Sequence, residues 1–290
     1  MRKKTWMTGL CLAAALFLAP PQPAAAVSAE TAVCGEAACG ICGRGAAEVY
    51  TAPSGKERAV LHLHGGGYTA GLNDFYRGLA DDYAAFAEAK RVYTPDYRTA
   101  PEHVYPAALD DAERVYEEML RRGEKPENVI VIGDSAGGNL ALALALRLRE
   151  EGKPQPAALV LISPWTAMDS GGPSRRYNAE RDATLAALPD MQAEVARPSY
   201  AAGRDLRDPR LSPVYADLSG LPPMLIQTGS RDMLLSDSLT LAAEASEDGA
   251  AVTLSVYPEM PHDFPIVTDG EKAEEAREEI RDFLRRKLGT

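Results

Sequence analysis

Asn128-Val129-Ile130-Val131-Ile132-Gly133-Asp134-Ser135-Ala136-Gly137 is the stretch from which the rest of the chain is best read. Four apolar β-branched residues in a row read as a buried strand. The strand gives way at once to Gly133, and a helical stretch, Gly138 to Glu150, begins within three residues of Ser135. Residues 133–137 fit G-x-S-x-G. Alone that string is weak. Between a strand and a helix it describes a sharp turn that presents a serine hydroxyl above the edge of a sheet. A side chain at either flanking glycine would clash in so tight a turn.

The same rhythm extends outward. Ala59 to His64 reads as a strand running into a glycine loop, Asp74 to Glu88 as helical, and Arg91 to Thr94 as a strand. Pro106 to Arg122 reads as a helix with proline in its first turn and Gly123 after its end. Ala157 to Ile162 and Met224 to Thr228 read as strands, and Asp237 to Glu247 as a helix. Val252 to Tyr257 is a further strand, and Lys272 to Lys287 a charged amphipathic helix. Strands separated by helical stretches predict an α/β fold, a mostly parallel sheet with helices on both faces. Residues 164–220 break the rhythm with six prolines and many small residues. So long an interruption between sheet strands predicts a cap or binding element.

A serine hydroxyl needs a base near neutral pH. The chain has four histidines, and only His262 follows Ser135. For a triad in the chain order serine, acid, histidine, that selects His262, just past the strand ending at Tyr257. The acid belongs on the loop after the preceding strand, where Asp232 stands; its role would be to hold the imidazole tautomer and stabilise the imidazolium. Asp237, the rival, falls at a helix start, where a carboxylate is more simply a cap or dipole partner. Acyl transfer also needs N–H donors for an oxyanion. His64-Gly65-Gly66-Gly67 offers bare backbone for this, and the N–H of Ala136, after the serine, adds a donor. No Lys-Ser/Thr follows the glycines, so a P-loop is excluded, and the elbow does not fit G-x-G-x-x-G.

The 290 residues are 46% hydrophobic and 25% charged, which excludes disordered and collagen-like classes. A formal charge of −11 repels phosphate backbones and argues against nucleic acid as partner. Arg2, Lys3 and Lys4, an apolar run from Leu10 to Ala19, and Ala24-Ala25-Ala26 lay out a secretory signal peptide over residues 1–26, with Ala29 an alternative cut. The apolar run is too short to span a bilayer, so export without a stable membrane span is expected. Residues 27–57 then form a segment bearing Cys34, Cys39 and Cys42. Their C-x4-C-x2-C spacing lacks the fourth cysteine of a ferredoxin cluster, and a zinc site would need a distant fourth ligand. In an oxidising compartment a local disulfide with one leftover thiol is the plainer reading.

These motifs together resemble the hormone-sensitive-lipase-like family of α/β-hydrolases, the bacterial esterases with an HGGG loop and a G-D-S-A-G elbow. The resemblance runs from about Arg58 to Thr290 and includes Tyr97-Arg98-Thr99-Ala100-Pro101-Glu102, Tyr105-Pro106-Ala107-Ala108-Leu109-Asp110-Asp111, Ser163-Pro164-Trp165 and Asp232-Met233-Leu234. It implies an α/β-hydrolase catalytic domain over 58–290 with a small cap near 164–220. It also implies hydrolysis of short- to medium-chain carboxylic esters through an acyl-serine, with a small-molecule ester as partner and neither metal nor cofactor. By position, Gly66 and Gly67 would be oxyanion donors with Ala136, and Asp134 an elbow residue outside the triad. Trp165 and Tyr68 are expected in the substrate pocket. The same triad would serve an amidase or peptidase, and a hydrolase fold that had lost catalysis would serve as a binding protein. The family's usual N-terminal helical cap has little chain to form from here, and Thr99 replaces its usual leucine.

Overall fold

The computed structural model describes residues 46–169 and 171–289. The expected signal peptide, the three cysteines and most of the 27–57 segment lie outside the described residues. Seven strands form one sheet: β1 (Ala47–Thr51), β2 (Lys56–Leu63), β3 (Ala89–Pro95), β4 (Val129–Asp134), β5 (Ala158–Ile162), β6 (Met224–Gly229) and β7 (Val252–Tyr257), in the order β1-β3-β2-β4-β5-β6-β7. Every pairing is parallel except that of β1 with β3.

The strands are apolar on both faces because helices cover both. Along β4, Val129 and Val131 face one core and Ile130 and Ile132 the other; along β5, Leu159 and Leu161 alternate with Ala158, Val160 and Ile162. The first core is completed by α3 (Ala107–Arg121), α4 (Ala136–Glu150) and α7 (Leu235–Glu247), through Val115, Met119, Leu140, Leu144 and Leu241. The second is completed by α1 (Asp74–Gly78), α2 (Ala80–Ala87) and α9 (Glu271–Leu288), through Tyr76, Tyr83, Phe86, Ile280 and Phe283. The strong amphipathic patterns of α3 and α9 seat each helix by one stripe.

Residues 164–220 carry α5 (Ser174–Tyr177), α6 (Pro189–Ala196) and three single 3₁₀ turns. This insertion is not a loose flap. It buries Leu185, Val195, Tyr200, Leu211, Val214 and Leu218, all but Leu185 in the first core. The short helix α8 (Phe264–Val267) follows the loop after β7. The expected domain start at 58 needs correction: β1 and the first residues of β2 lie before it and are hydrogen-bonded into the sheet. No helix among the described residues is long and apolar enough to cross a membrane.

Candidate active site

β4 ends in the elbow, and the next residue, Ser135, adopts φ 52° and ψ −117°. A non-glycine residue there is strained, and such strain collects at functional sites. The surroundings enforce it. A Cβ on Gly133 would run into the carbonyl of Gly137, and one on Gly137 into that of Leu63, so strand and helix meet backbone to backbone. The glycine loop begins at that contact. Gly65 packs on Asp134, while Gly66 and Gly67 take φ of 104° and 62°. His64 is stacked on Tyr97 at 4.1 Å, and its Nδ1 lies 2.8 Å from the Gly65 carbonyl. Burial pushes the His64 pKa down to about 4, so the ring is neutral and structural. Tyr76 donates to Asp134 Oδ2 at 2.8 Å, which anchors that carboxylate at the elbow.

The acid and base expectations meet in one buried pair. Asp232 and His262 are 0% and 2% exposed, and Asp232 Oδ1 lies 3.0 Å from His262 Nδ1. Asp232 also accepts from Leu234 N–H at 2.7 Å and from the Thr228 hydroxyl at 3.0 Å. Burial alone would push this carboxyl up, but the imidazole beside it holds it below its ordinary range. On the far side of the ring, Nε2 lies 3.1 Å from Oδ2 of Asp263. Burial opposes charging His262, yet Asp263 and Asp232 together hold its pKa well above the ordinary imidazole value. Asp263 itself is pushed up to about 7 by burial, against the pull of His262.

The turn after β5 joins the Ser135 and His262 loops. Trp165 N–H donates to the Ser135 carbonyl at 2.9 Å, and Ser163 Oγ accepts from Asp263 N–H at 3.0 Å. Three oxygen- and nitrogen-bearing side chains, Asp182, Asp232 and His262, lie close enough to suggest a cation site. Their acceptor positions are instead committed: Asp182 and Asp232 take backbone N–H donors, and Asp232 takes the imidazole.

A family model described as alpha/beta hydrolase fold matches residues 60–266. The chain is 36% identical over 221 residues to an esterase of Acinetobacter venetianus, covering 76% of this chain and 71% of that protein. It is 39% identical over 220 residues to an acetyl-hydrolase of Streptomyces hygroscopicus, covering 74% and 72%. A solved esterase from the bacterial hormone-sensitive lipase family superposes with a TM-score of 0.77 at 36% identity, covering 84% of this chain and 81% of that one. The chain belongs to the hormone-sensitive-lipase-like α/β-hydrolases.

For this hydrolase, the expectations for three residues change. Trp165 is 0% exposed with its indole N–H bonded to the Ala167 carbonyl at 3.1 Å, and Tyr68 is 1% exposed, stacked on Tyr200 at 4.0 Å and donating to Asn139 at 2.7 Å. Both belong to the first core rather than to an open pocket wall, because each spends its one polar atom on a buried partner. Asp237 is likewise no simple cap. Its carboxylate faces Arg175 of α5 at 3.0 Å and accepts from Ala167 N–H at 2.9 Å. Sequence reasoning did not find Met191 of α6, whose sulfur sits where a Cβ on Gly67 would point. Nor did it find Ser163, Asp182 and Asp263 as parts of the site. The motif Ser163-Pro164-Trp165 was a usable signal for the first. For the other two, only the separation of the loops in space identifies them.

Proposed function

We propose that this carboxylic ester hydrolase is a serine esterase acting on short- to medium-chain esters, with Ser135 as nucleophile, His262 as base and Asp232 as its orienting acid. Ser135 Oγ attacks the ester carbonyl carbon while neutral His262, its Nε2 released from Asp263 Oδ2 at 3.1 Å, takes the serine proton. The oxygen that becomes negative is received by the N–H groups of Gly66, Gly67 and Ala136. The imidazolium then returns the proton to the departing alkoxide, leaving an acyl-serine and a free alcohol. Water, deprotonated by His262, attacks the acyl carbon; Ser135 leaves with the proton and the carboxylic acid is released. Asp232 stays ionised and stabilises the imidazolium in both halves.

One observation carries the reading: a buried aspartate–histidine pair at 3.0 Å is tied, through the turn after β5, to a serine held in a strained elbow. The names of the relatives, esterase and acetyl-hydrolase, support small acyl groups. The test is Ser135→Ala with p-nitrophenyl esters of increasing acyl length. Turnover should fall on the order of 10⁶-fold with the fold intact, and fluorophosphonate labelling should vanish. A variant that retains a tenth of its activity removes Ser135 from the mechanism. A wild-type preference for long acyl chains refutes the short-chain assignment.

A further inference from the structure

Asp182 lies in the insertion, in the turn after α5, and is 0% exposed. Its carboxylate collects four backbone N–H groups. Oδ1 accepts from Thr184 at 3.1 Å, Leu185 at 3.2 Å and His262 at 3.1 Å, and Oδ2 accepts from Met233 at 2.8 Å. Two of these donors belong to its own turn. The other two lie 51 and 80 residues away, one beside Asp232 and one on His262 itself. Neighbouring side chains of the insertion hold the same two loops. Asn178 Nδ2 donates to the carbonyls of Asp232 at 2.9 Å and Ser230 at 3.2 Å, and Thr184 Oγ1 donates to the His262 carbonyl at 2.9 Å.

We propose that Asp182 is a positioning residue for the Asp232–His262 pair: one buried carboxylate bridges the acid loop and the base loop and fixes their separation. This rests on the reading of His262 as the base. Hydrogen bonds from N–H groups to a carboxylate are charge-assisted and about twice as strong as neutral ones, so the bridge is stiff. Stiffness counts here because a displacement of about 1 Å in a catalytic group can cost on the order of a hundredfold in rate. Asp182 also acts by charge. Three carboxylates lie near the imidazole: Asp232 from the loop after β6, Asp263 from the base loop, and Asp182 from the insertion, one of whose oxygens lies within 4.8 Å of an Asp232 oxygen and a His262 ring nitrogen. The cap segment is thereby part of the triad's support and not only a roof.

The test uses the full chain, with p-nitrophenyl butyrate as substrate and rates divided by active sites counted in an organophosphate burst, so that unfolded molecules drop out. Asp182→Asn keeps the size and one acceptor oxygen; Asp182→Ala keeps neither. For Asp182→Asn, kcat per site should fall about tenfold to a hundredfold while KM stays within about twofold, the signature of a lost transition-state contribution. Its acid limb should move to lower pH, because a negative charge near the imidazolium has gone, and Asp182→Ala should lose more. A purely structural residue would lower Tm and leave both quantities per site unmoved, and that result overturns the proposal. If Asp182→Ala does not fold, the nearly isosteric Asp182→Asn decides. Ser135→Ala is run beside them: if it remains active, the ester reading fails first and on separate grounds.

Discussion

His262 is the residue whose surroundings most directly set a measurable property. It acts as a base only when neutral. Burial works against its charged form, but Asp263 and Asp232 overcome that and raise its pKa well above the ordinary value of about 6.5. The acid limb of kcat/KM should therefore lie above about pH 6.5, with activity rising toward alkaline pH. Asp263→Asn removes one of the carboxylates that favour the imidazolium, so the limb should shift to lower pH. A pH–rate profile checks both statements; a limb that stays in place in Asp263→Asn refutes the assignment of the shift to Asp263. At this scale the sequence was partly legible. Chain order picked His262, and the loop position picked Asp232, because both rules follow from where strands end. Asp263 carried no signal, since a carboxylate beside a histidine is ordinary in sequence and matters only through the left-handed turn, φ 55°, that accompanies its placement on Nε2.

Among the α-helices, α5 is one of the two shortest, at four residues, yet it is strongly tied. Arg175 reaches Asp237 in the first turn of α7 at 3.0 and 3.2 Å, and it also donates to the carbonyls of Asp169 at 2.9 Å, Val195 at 3.3 Å and Ala167. Asp237 is fully buried, which pushes its carboxyl up to about 6 against the attraction of Arg175. Arg175→Ala strands that carboxylate without its partner, and breaking a buried pair in this way costs about 3–5 kcal/mol. Urea unfolding should show that loss, and a change below about 1 kcal/mol would mean the pair is not structurally significant. The strands and helices of the parallel layer were readable because apolar runs and helical periods are long there. β1 was not, because Ala47–Thr51 is five residues long, only half-buried, and held by pairing to β3 rather than by an apolar run of its own. Trp165 looked like a pocket wall because it opens the insertion. Its burial shows that the insertion starts inside the core.

For the molecule as a whole, the insertion and the sheet share one core and one set of buried polar ties, so they should unfold together. Trp165 fluorescence reports on the root of the insertion, far-ultraviolet circular dichroism on the helices and sheet, and hydrolysis on the assembled site. The three should lose their signals at one urea midpoint. Fluorescence and activity falling well before the helical signal would show a separately opening cap. The overall architecture was legible in the alternation of elements, but the integration of residues 164–220 was not, because it depends on contacts such as Asp182 to His262, 80 residues apart. That separation has a temporal side. Ser135 follows the fourth strand, Asp232 the sixth, and His262 the seventh. A ribosome that has synthesised the chain through β6 has already built the nucleophile, its elbow and the glycine loop, yet no proton acceptor. Contacts between distant segments form late, since closing long loops costs entropy before the contacts repay it. With Ser135 and His262 in the roles proposed, the nascent protein would stay inert toward the cell's own esters until its final strand has docked.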